Sequence, residues 1–131
     1  MLKQLLAAGA GLALCTASLA AQAAPAAQMP QHPAADSVTI TGHVIDTYCN
    51  TVMGASGAAH RACAEACAKS GEALAILGDD GTVYLPVSAK PADPQNGRLL
   101  PFAEGKVRVT GMHRLNHGLH TIEIKTIAAA T

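Results

Sequence analysis

Apolar and polar residues alternate in several short segments of the chain, and this pattern predicts β-strands. The alternation runs through residues 38–44, 106–110 and 121–125, and a period of two is typical of a strand with one buried face. Residues 73–77 and 82–87 are apolar runs that flank Gly-Asp-Asp-Gly. An Asp-Gly pair between such runs indicates a β-hairpin. The pattern therefore predicts five strands.

One helix is predicted between the first and second strands. Residues 58–70 are rich in alanine and contain neither proline nor glycine, which favours a helix. Ser56 is the predicted N-cap, and Gly71 suits the position just after the helix. Residues 46–57 are predicted to form a loop, and residues 99–104 a single helical turn before the fourth strand.

This order of elements predicts a mainly β fold with one inserted helix. Five short antiparallel strands, with a helical turn between the third and fourth, fit a small five-stranded, partly open barrel of the OB type. Twenty-one Ile, Val, Leu and Phe residues fall between positions 37 and 127. That number is enough for a modest core, to which a cross-link or a metal would add stability at this size.

The N-terminal part of the chain is predicted to lie outside this domain. Residues 1–23 contain one early lysine, an apolar run and a final Ala-Gln-Ala, which is typical of a secretory signal peptide. Residues 24–36 are rich in Pro and Ala and are predicted to be an extended linker. The OB-like domain then covers residues 37–127, and residues 128–131 form a tail. We therefore expect a periplasmic or secreted protein without a membrane span.

The charge and the aromatic content exclude several classes of partner. Nine Lys and Arg balance nine Asp and Glu, and the aromatic residues are two Tyr and one Phe. Neither a basic surface nor a stacking platform for nucleic acid is expected. The chain also lacks a Gly-rich phosphate loop, a G-x-S-x-G motif and an H-E-x-x-H motif. No catalytic residues are identified, so the protein is not expected to be an enzyme.

Removal of the signal peptide takes Cys15 with it and leaves three cysteines. With His60 they form the pattern Cys49-x10-His60-x2-Cys63-x3-Cys67. In a continuous helix His60, Cys63 and Cys67 would lie within about 60° of one another on one face, and Cys49 can reach that face through the preceding loop. Three thiolates and one imidazole form a tetrahedral zinc set, and soft thiolates also suit Cu(I).

A disulfide is the alternative interpretation of the same cysteines. An oxidising compartment favours bridges, and a bridge from Cys49 to Cys63 or to Cys67 would close a loop of about 15 to 19 residues, contributing roughly 3 kcal/mol. Such a bridge would leave one free thiol, which is unusual in a secreted protein. It would also leave His60 without a role.

These interpretations lead to different hypotheses about function. The first is an exported, non-enzymatic protein that holds Cu(I) or Zn(II) through Cys49, His60, Cys63 and Cys67. It would buffer, sense or deliver the metal, in the last case to another exported protein. The second is a disulfide-stapled OB-like module that binds a protein or a small ligand without metal. A thiol redox protein that uses the odd cysteine is a third hypothesis.

Three further histidines lie near the predicted turn of the last hairpin. If Asn116 and His117 form a two-residue turn, His113 faces His120 across the hairpin, where Cβ atoms are about 5 Å apart. His113, His117 and His120 are therefore a candidate secondary metal site. The alternative is that they are ordinary polar residues at a hairpin tip.

The chain resembles an uncharacterised family of small exported bacterial OB-fold-like domains. The family pattern is G-x-V-x-D-x-x-C, H-x2-C-x3-C, a glycine, an Asp-Gly-x-Val-Tyr hairpin and V-x-V-x-G. It matches here at residues 42–49, 60–67, 71, 80–84 and 107–111. The resemblance covers about residues 42–127 and implies a shared OB-like fold and a shared Cys/His site, with no established activity. Glu72-Ala73 departs from the proline that family members often have after the helix, and the three histidines lie outside the pattern.

Overall fold

The computed structural model describes residues 34–131, so the predicted signal peptide and most of the predicted linker lie outside the described residues. The strands are β1 Asp36–Asp46, β2 Leu74–Gly78, β3 Val83–Val87, β4 Lys106–Asn116 and β5 Leu119–Ala129. They close into a barrel in the order β1-β2-β3-β5-β4, in which β1 pairs with both β2 and β4. Only β3 and β5 pair in parallel. The predicted mainly β, five-stranded OB-like barrel is confirmed, but it is closed rather than partly open, and one of its strand pairs is parallel where antiparallel strands were expected.

Short helices fill the connections of this barrel. They are α1 Thr47–Met53, α2 Arg61–Lys69 and α3 Asn96–Leu99, with 3₁₀ turns at Ala58–His60 and Leu100–Phe102. The helix predicted after the first strand and the helical turn predicted before the fourth are both present. Within residues 34–131 no helix has the length and hydropathy to cross a membrane.

Helix α1 replaces the loop predicted over residues 46–57. Asp46 caps its first turn, because the carboxylate Oδ1 accepts a 2.8 Å hydrogen bond from the backbone N–H of Cys49. Gly54 ends the helix in the left-handed conformation at φ 67°, and its N–H donates to the Asn50 carbonyl. The acidic cap and the final glycine are the local signal for this helix. The Thr- and Asn-containing segment between them has low helix propensity, which conceals that signal in the sequence.

Helix α2 begins later than predicted and ends where predicted. Gly57, at φ 87°, starts a 3₁₀ turn, so regular α-helix begins only at Arg61, and no side chain caps either element. The prediction of Ser56 as the N-cap was therefore wrong. At the other end, Gly71 adopts φ 106°, and the N–H of the next residue donates to the Cys67 carbonyl at 3.0 Å. This is a Schellman motif, which glycine favours at this position.

The core of the domain fills the barrel interior and extends to two of the helices. Inward-facing positions alternate along the strands, as the sequence pattern predicts. Ala68 of α2 and Leu99 of α3 belong to the same buried cluster, so both helices are docked against the barrel. The buried residues of this cluster are Ile40, Val44, Ala68, Leu74, Ile76, Leu99, Val107, Val109, Ile122 and Ile124.

The last hairpin turns one residue later than the sequence analysis assumed. His117 and Gly118 form the two-residue turn, at φ 51° and 81°, and Asn116 pairs with Leu119. A type I′ turn needs positive φ at both central residues, and glycine adopts it without strain at the second. The condition of an Asn116-His117 turn is therefore not met, and His113 pairs directly with Ile122 rather than with His120.

Gly42 is the point at which β1 passes from β4 to β2, pairing with both Val107 and Gly78. A Cβ here would overlap the Leu77 carbonyl and lie 2.8 Å from the Gly78 Cα. We expect Gly42→Ala to lower the free energy of unfolding by about 1–3 kcal/mol, measured by denaturant titration. Gly97→Ala is the control, since a Cβ there meets nothing within 4 Å. Equal stability of the two variants would contradict this account of β1.

Candidate metal centre

Three cysteines lie together beyond the end of β1. The Sγ atoms of Cys49, Cys63 and Cys67 are all within 4.8 Å of one another, and all three are free thiols. Cys49 comes from α1, whereas Cys63 and Cys67 come from α2. The cluster therefore joins two short helices that β1 and the barrel hold in place.

Cys49 is positioned by the hydrogen bonds of α1 to its surroundings. Besides the Asp46 cap, the Thr47 N–H donates to the Ala73 carbonyl at 3.0 Å. The Thr47 hydroxyl lies 2.8 Å from Glu72 Oε1 and 2.9 Å from the same Ala73 carbonyl. Helix α1 is thus tied to the segment that follows α2, and the Cys49 side chain is buried within the protein.

Cys63 and Cys67 are one helical turn apart on α2. Ala64 and Ala68 are buried beneath the helix, so the helix face that carries the two thiols lies next to the docked face. Cys63 is exposed and Cys67 is half-buried. The three thiols therefore range from fully buried to exposed, and an incoming ion or thiol can reach the cluster at Cys63.

His60 is held by an acidic residue outside the cysteine cluster. Its Nδ1 lies 3.0 Å from Glu104 Oε1, and both side chains are largely buried. The group of side chains that converge to within 4.8 Å contains the three cysteines and does not include His60. The reason is local: His60 ends a 3₁₀ turn rather than continuing α2, so it does not follow the 100° helical spacing assumed from the sequence. Its role as a fourth ligand remains a prediction.

Glu104 is a buried residue beside this site whose contacts have no counterpart in the sequence-based predictions. Its Oε2 accepts a 2.7 Å hydrogen bond from the Gly57 N–H, and its own N–H donates to the Val44 carbonyl at 2.9 Å. It adopts a positive φ of 55°. Glu104 therefore links β1 to the turn that starts α2. No local sequence pattern predicts the contacts of Glu104, because they join residues 44 or more positions apart in the chain.

Burial and nearby negative charge raise the pKa of two of the three thiols, Cys49 and Cys67. Burial raises the pKa of Cys67 to about 11, with further contributions from the Cys63 thiol and the Asp46 carboxylate. Burial also raises the pKa of Cys49, and Asp46 and Cys63 add to the effect. A bound cation would reverse this preference, since metal coordination requires thiolates and releases their protons.

Two carboxylates stand close to the thiols. Asp46 is fully buried, and its Oδ2 has no hydrogen-bond partner among the described residues. Asp46, Cys67 and Glu72 also line a cavity of about 370 Å³, together with the exposed Tyr48. An unpartnered carboxylate oxygen in a buried position is costly. The acidic lining of this cavity favours a cation beside the cluster.

The cysteine geometry can hold a metal ion. With zinc–sulfur bonds of about 2.3 Å, sulfurs on one tetrahedral ion lie roughly 3.8 Å apart. The observed upper limit of 4.8 Å therefore requires a contraction of at most about 1 Å, within the reach of side-chain rotation. Cys49, Cys63 and Cys67 are free thiols, so no disulfide joins the cysteines that the structure describes.

Two of the three histidines predicted near the last hairpin do meet. His113 Nε2 lies 3.0 Å from His120 Nδ1, although Leu115 and not His113 is the direct cross-strand partner of His120. The two histidines are diagonal neighbours on one face of the hairpin. His117 lies in the turn itself and is exposed, so the structure does not bring the three imidazoles together.

Comparison with models of protein families, with curated proteins and with solved structures finds no match. The resemblance to exported OB-like domains therefore stays a prediction. The evidence for the fold and for the cysteine cluster comes from the structure of this chain alone.

The His60–Glu104 contact predicts a loss of stability on mutation. We expect His60→Ala to lower the free energy of unfolding of the metal-free protein by about 1–3 kcal/mol, because a buried carboxylate loses a partner. Lys69→Ala is the control, since Lys69 is an exposed cation of the same helix and a surface charge contributes at most about 1 kcal/mol. A smaller loss for His60→Ala than for Lys69→Ala in thermal unfolding would refute this role.

The raised thiol pKa predicts that alkali destabilises the metal-free protein. The pKa of Cys67 rises from its ordinary value of 9.0 to about 11, so the folded chain holds this proton more tightly than the unfolded chain. Its contribution is complete below pH 9 and is lost as the pH rises toward 11. We expect Tm of the reduced protein to fall across that window, and Cys67→Ser to diminish the fall. An identical decline in both proteins would show that another group is responsible.

Proposed function

We propose that this chain is a small exported metal-binding protein that holds one thiophilic ion through Cys49, Cys63 and Cys67. The convergence of the three Sγ atoms within 4.8 Å is the observation that carries the proposal. The buried, unpartnered Asp46 oxygen supports it, because a cation beside the thiols would offset that buried charge. Export rests on the signal-peptide pattern of residues 1–23.

The donor set favours Cu(I) when the three thiolates act alone. Thiolates are soft ligands that select Cu(I) and Zn(II), but structural zinc almost always takes four ligands. Zinc would need a fourth donor such as His60, whose Nδ1 is held by Glu104. A histidine oriented by a carboxylate through one nitrogen commonly binds zinc through the other. Cu(I) would use the cysteine cluster directly, whereas zinc would require His60 to move toward it.

The range of exposure among the thiols suits metal buffering or delivery. Buried Cys49 anchors the ion, and exposed Cys63 offers the position at which a thiol of another exported protein can displace a ligand. Thiolate exchange of this kind moves the ion without transferring electrons. The protein would then act as a carrier and not as an enzyme.

Metal content and thiol count test the proposal together. The chain is expressed for export and purified anaerobically from the periplasm, its metal is measured, and its thiols are titrated after chelation and denaturation. We expect one Cu(I) or Zn(II) per chain and three titratable thiols. Serine at Cys49, Cys63 or Cys67 should weaken binding by at least about 10–100-fold, the loss typical of removing even a group that only supports a ligand.

Ala62→Ser is the matched control for these substitutions, because it places the same hydroxyl at an exposed position of α2. It should leave metal content unchanged. A metal-free protein with a single titratable thiol would overturn the proposal and favour the disulfide-stapled module. Retention of full affinity in all three serine variants would exclude the cysteine cluster as the site.

A further inference from the structure

Beside the β4–β5 hairpin, the aliphatic interior of the barrel gives way to a cluster of polar and aromatic residues. His113 follows Val107, Val109 and Gly111 on the inward-facing side of β4, and His120 precedes Ile122 on β5. The stripe that buries aliphatic side chains deeper in the barrel thus presents two imidazoles at this end.

Strands β3 and β1 each contribute one residue to the same cluster. Tyr84 of β3 packs edge-on against both imidazoles, with ring centroids 5.5 Å from His113 and 5.7 Å from His120. Asp36, the first residue of β1, is the direct cross-strand partner of His113. Cross-strand partners point to the same face of a sheet with Cβ atoms about 4.5–5.5 Å apart, so the Asp36 carboxylate lies on the side of the two histidines.

The two imidazoles are already at the spacing of ligands on one ion. Their facing nitrogens are 3.0 Å apart, and the rings are inclined by only 15°. With metal–nitrogen bonds of about 2.0–2.1 Å, two nitrogens on a tetrahedral or octahedral ion lie roughly 2.9–3.4 Å apart. In the metal-free protein a hydrogen bond joins the same two nitrogens. An ion bound to both nitrogens would replace that hydrogen bond.

We propose that His113 and His120, with Asp36, form a second metal site of the imidazole–carboxylate class, separate from the cysteine cluster. Two nitrogens and one carboxylate oxygen select borderline divalent ions such as Zn(II), Ni(II) or Cu(II), whereas three thiolates select soft ions. The ring of Tyr84 restrains both imidazoles and keeps their facing nitrogens together. The exposed Asp36 carboxylate does not converge with the two imidazoles to within 4.8 Å, so it would have to rotate toward the ion to bind it.

The register of the strands keeps the two sites apart. The cysteine cluster follows the last residue of β1, and the histidine pair lies opposite its first residue. The group of converging cysteines contains neither His113 nor His120. One chain would therefore bind a soft ion at one end of β1 and a harder divalent ion at the other, without competition for ligands.

Zn(II) binding to a thiol-free chain tests the second site. The full chain carrying Cys15→Ser, Cys49→Ser, Cys63→Ser and Cys67→Ser, which together remove all four cysteines, is titrated with Zn(II) by calorimetry, while NMR follows the imidazole nitrogens. We expect one Zn(II) per chain and shifts of His113 Nε2 and His120 Nδ1. His113→Ala or His120→Ala should each weaken binding at least 10-fold, and Asp36→Asn should weaken it by a smaller factor.

His117→Asn is the matched control, because it removes an exposed imidazole from the same hairpin, tolerates the positive φ of the turn and should leave the affinity unchanged. If the serine variant does not fold, the wild-type chain with alkylated thiols is used in the same titration. Absence of Zn(II) binding by a folded thiol-free chain would overturn the proposal, leaving a hydrogen-bonded histidine pair. Binding that survives His113→Ala and His120→Ala together, or that depends on His117, would overturn it equally.

Discussion

The need to partner two buried carboxylates governs how the helical insertion sits on the barrel. Asp46 and Glu104 are the buried charged residues of the core, with 0% and 8% of their surface exposed. A buried charge is tolerated only where polar groups satisfy it. Asp46 takes the Cys49 N–H at the start of α1, and Glu104 takes the Gly57 N–H and the His60 imidazole before α2. Asp46 therefore fixes the start of α1 to the barrel, and Glu104 fixes the start of α2 to it.

This arrangement explains how two very short helices can present a defined cluster. Helices of seven and nine residues are far too short to be stable alone. Each is instead specified at its ends, α1 by the Asp46 cap and Gly54, and α2 by the Glu104 contacts and the Schellman motif at Gly71. A bound ion would add a covalent-like link between them, which is how metals commonly stabilise small domains.

The cysteine group and the histidine group occupy different parts of the fold. The cysteines sit on an insertion that the barrel supports from outside, and burial together with the nearby Asp46 carboxylate raises the pKa of Cys49 and of Cys67. The histidines continue the inward-facing stripes of β4 and β5, so they are part of the barrel's own interior pattern. Ligand softness, and not position alone, would decide which ion each group holds.

Local periodicity and residue type were enough to predict the five strands, the Asp-Gly hairpin, the glycine that ends α2 and the thiol chemistry of the cysteine cluster. The contact between Glu104 and His60 emerged from the folded chain, since it joins residues 44 positions apart and has no local signature. The strand pairing likewise placed Asp36 opposite His113. The His117-Gly118 turn set the register that brings His113 and His120 together. Moving the turn by one residue changes the cross-strand partner of every residue in the hairpin. The alternation of apolar and polar residues does not fix which two residues form the turn, so it cannot predict these contacts.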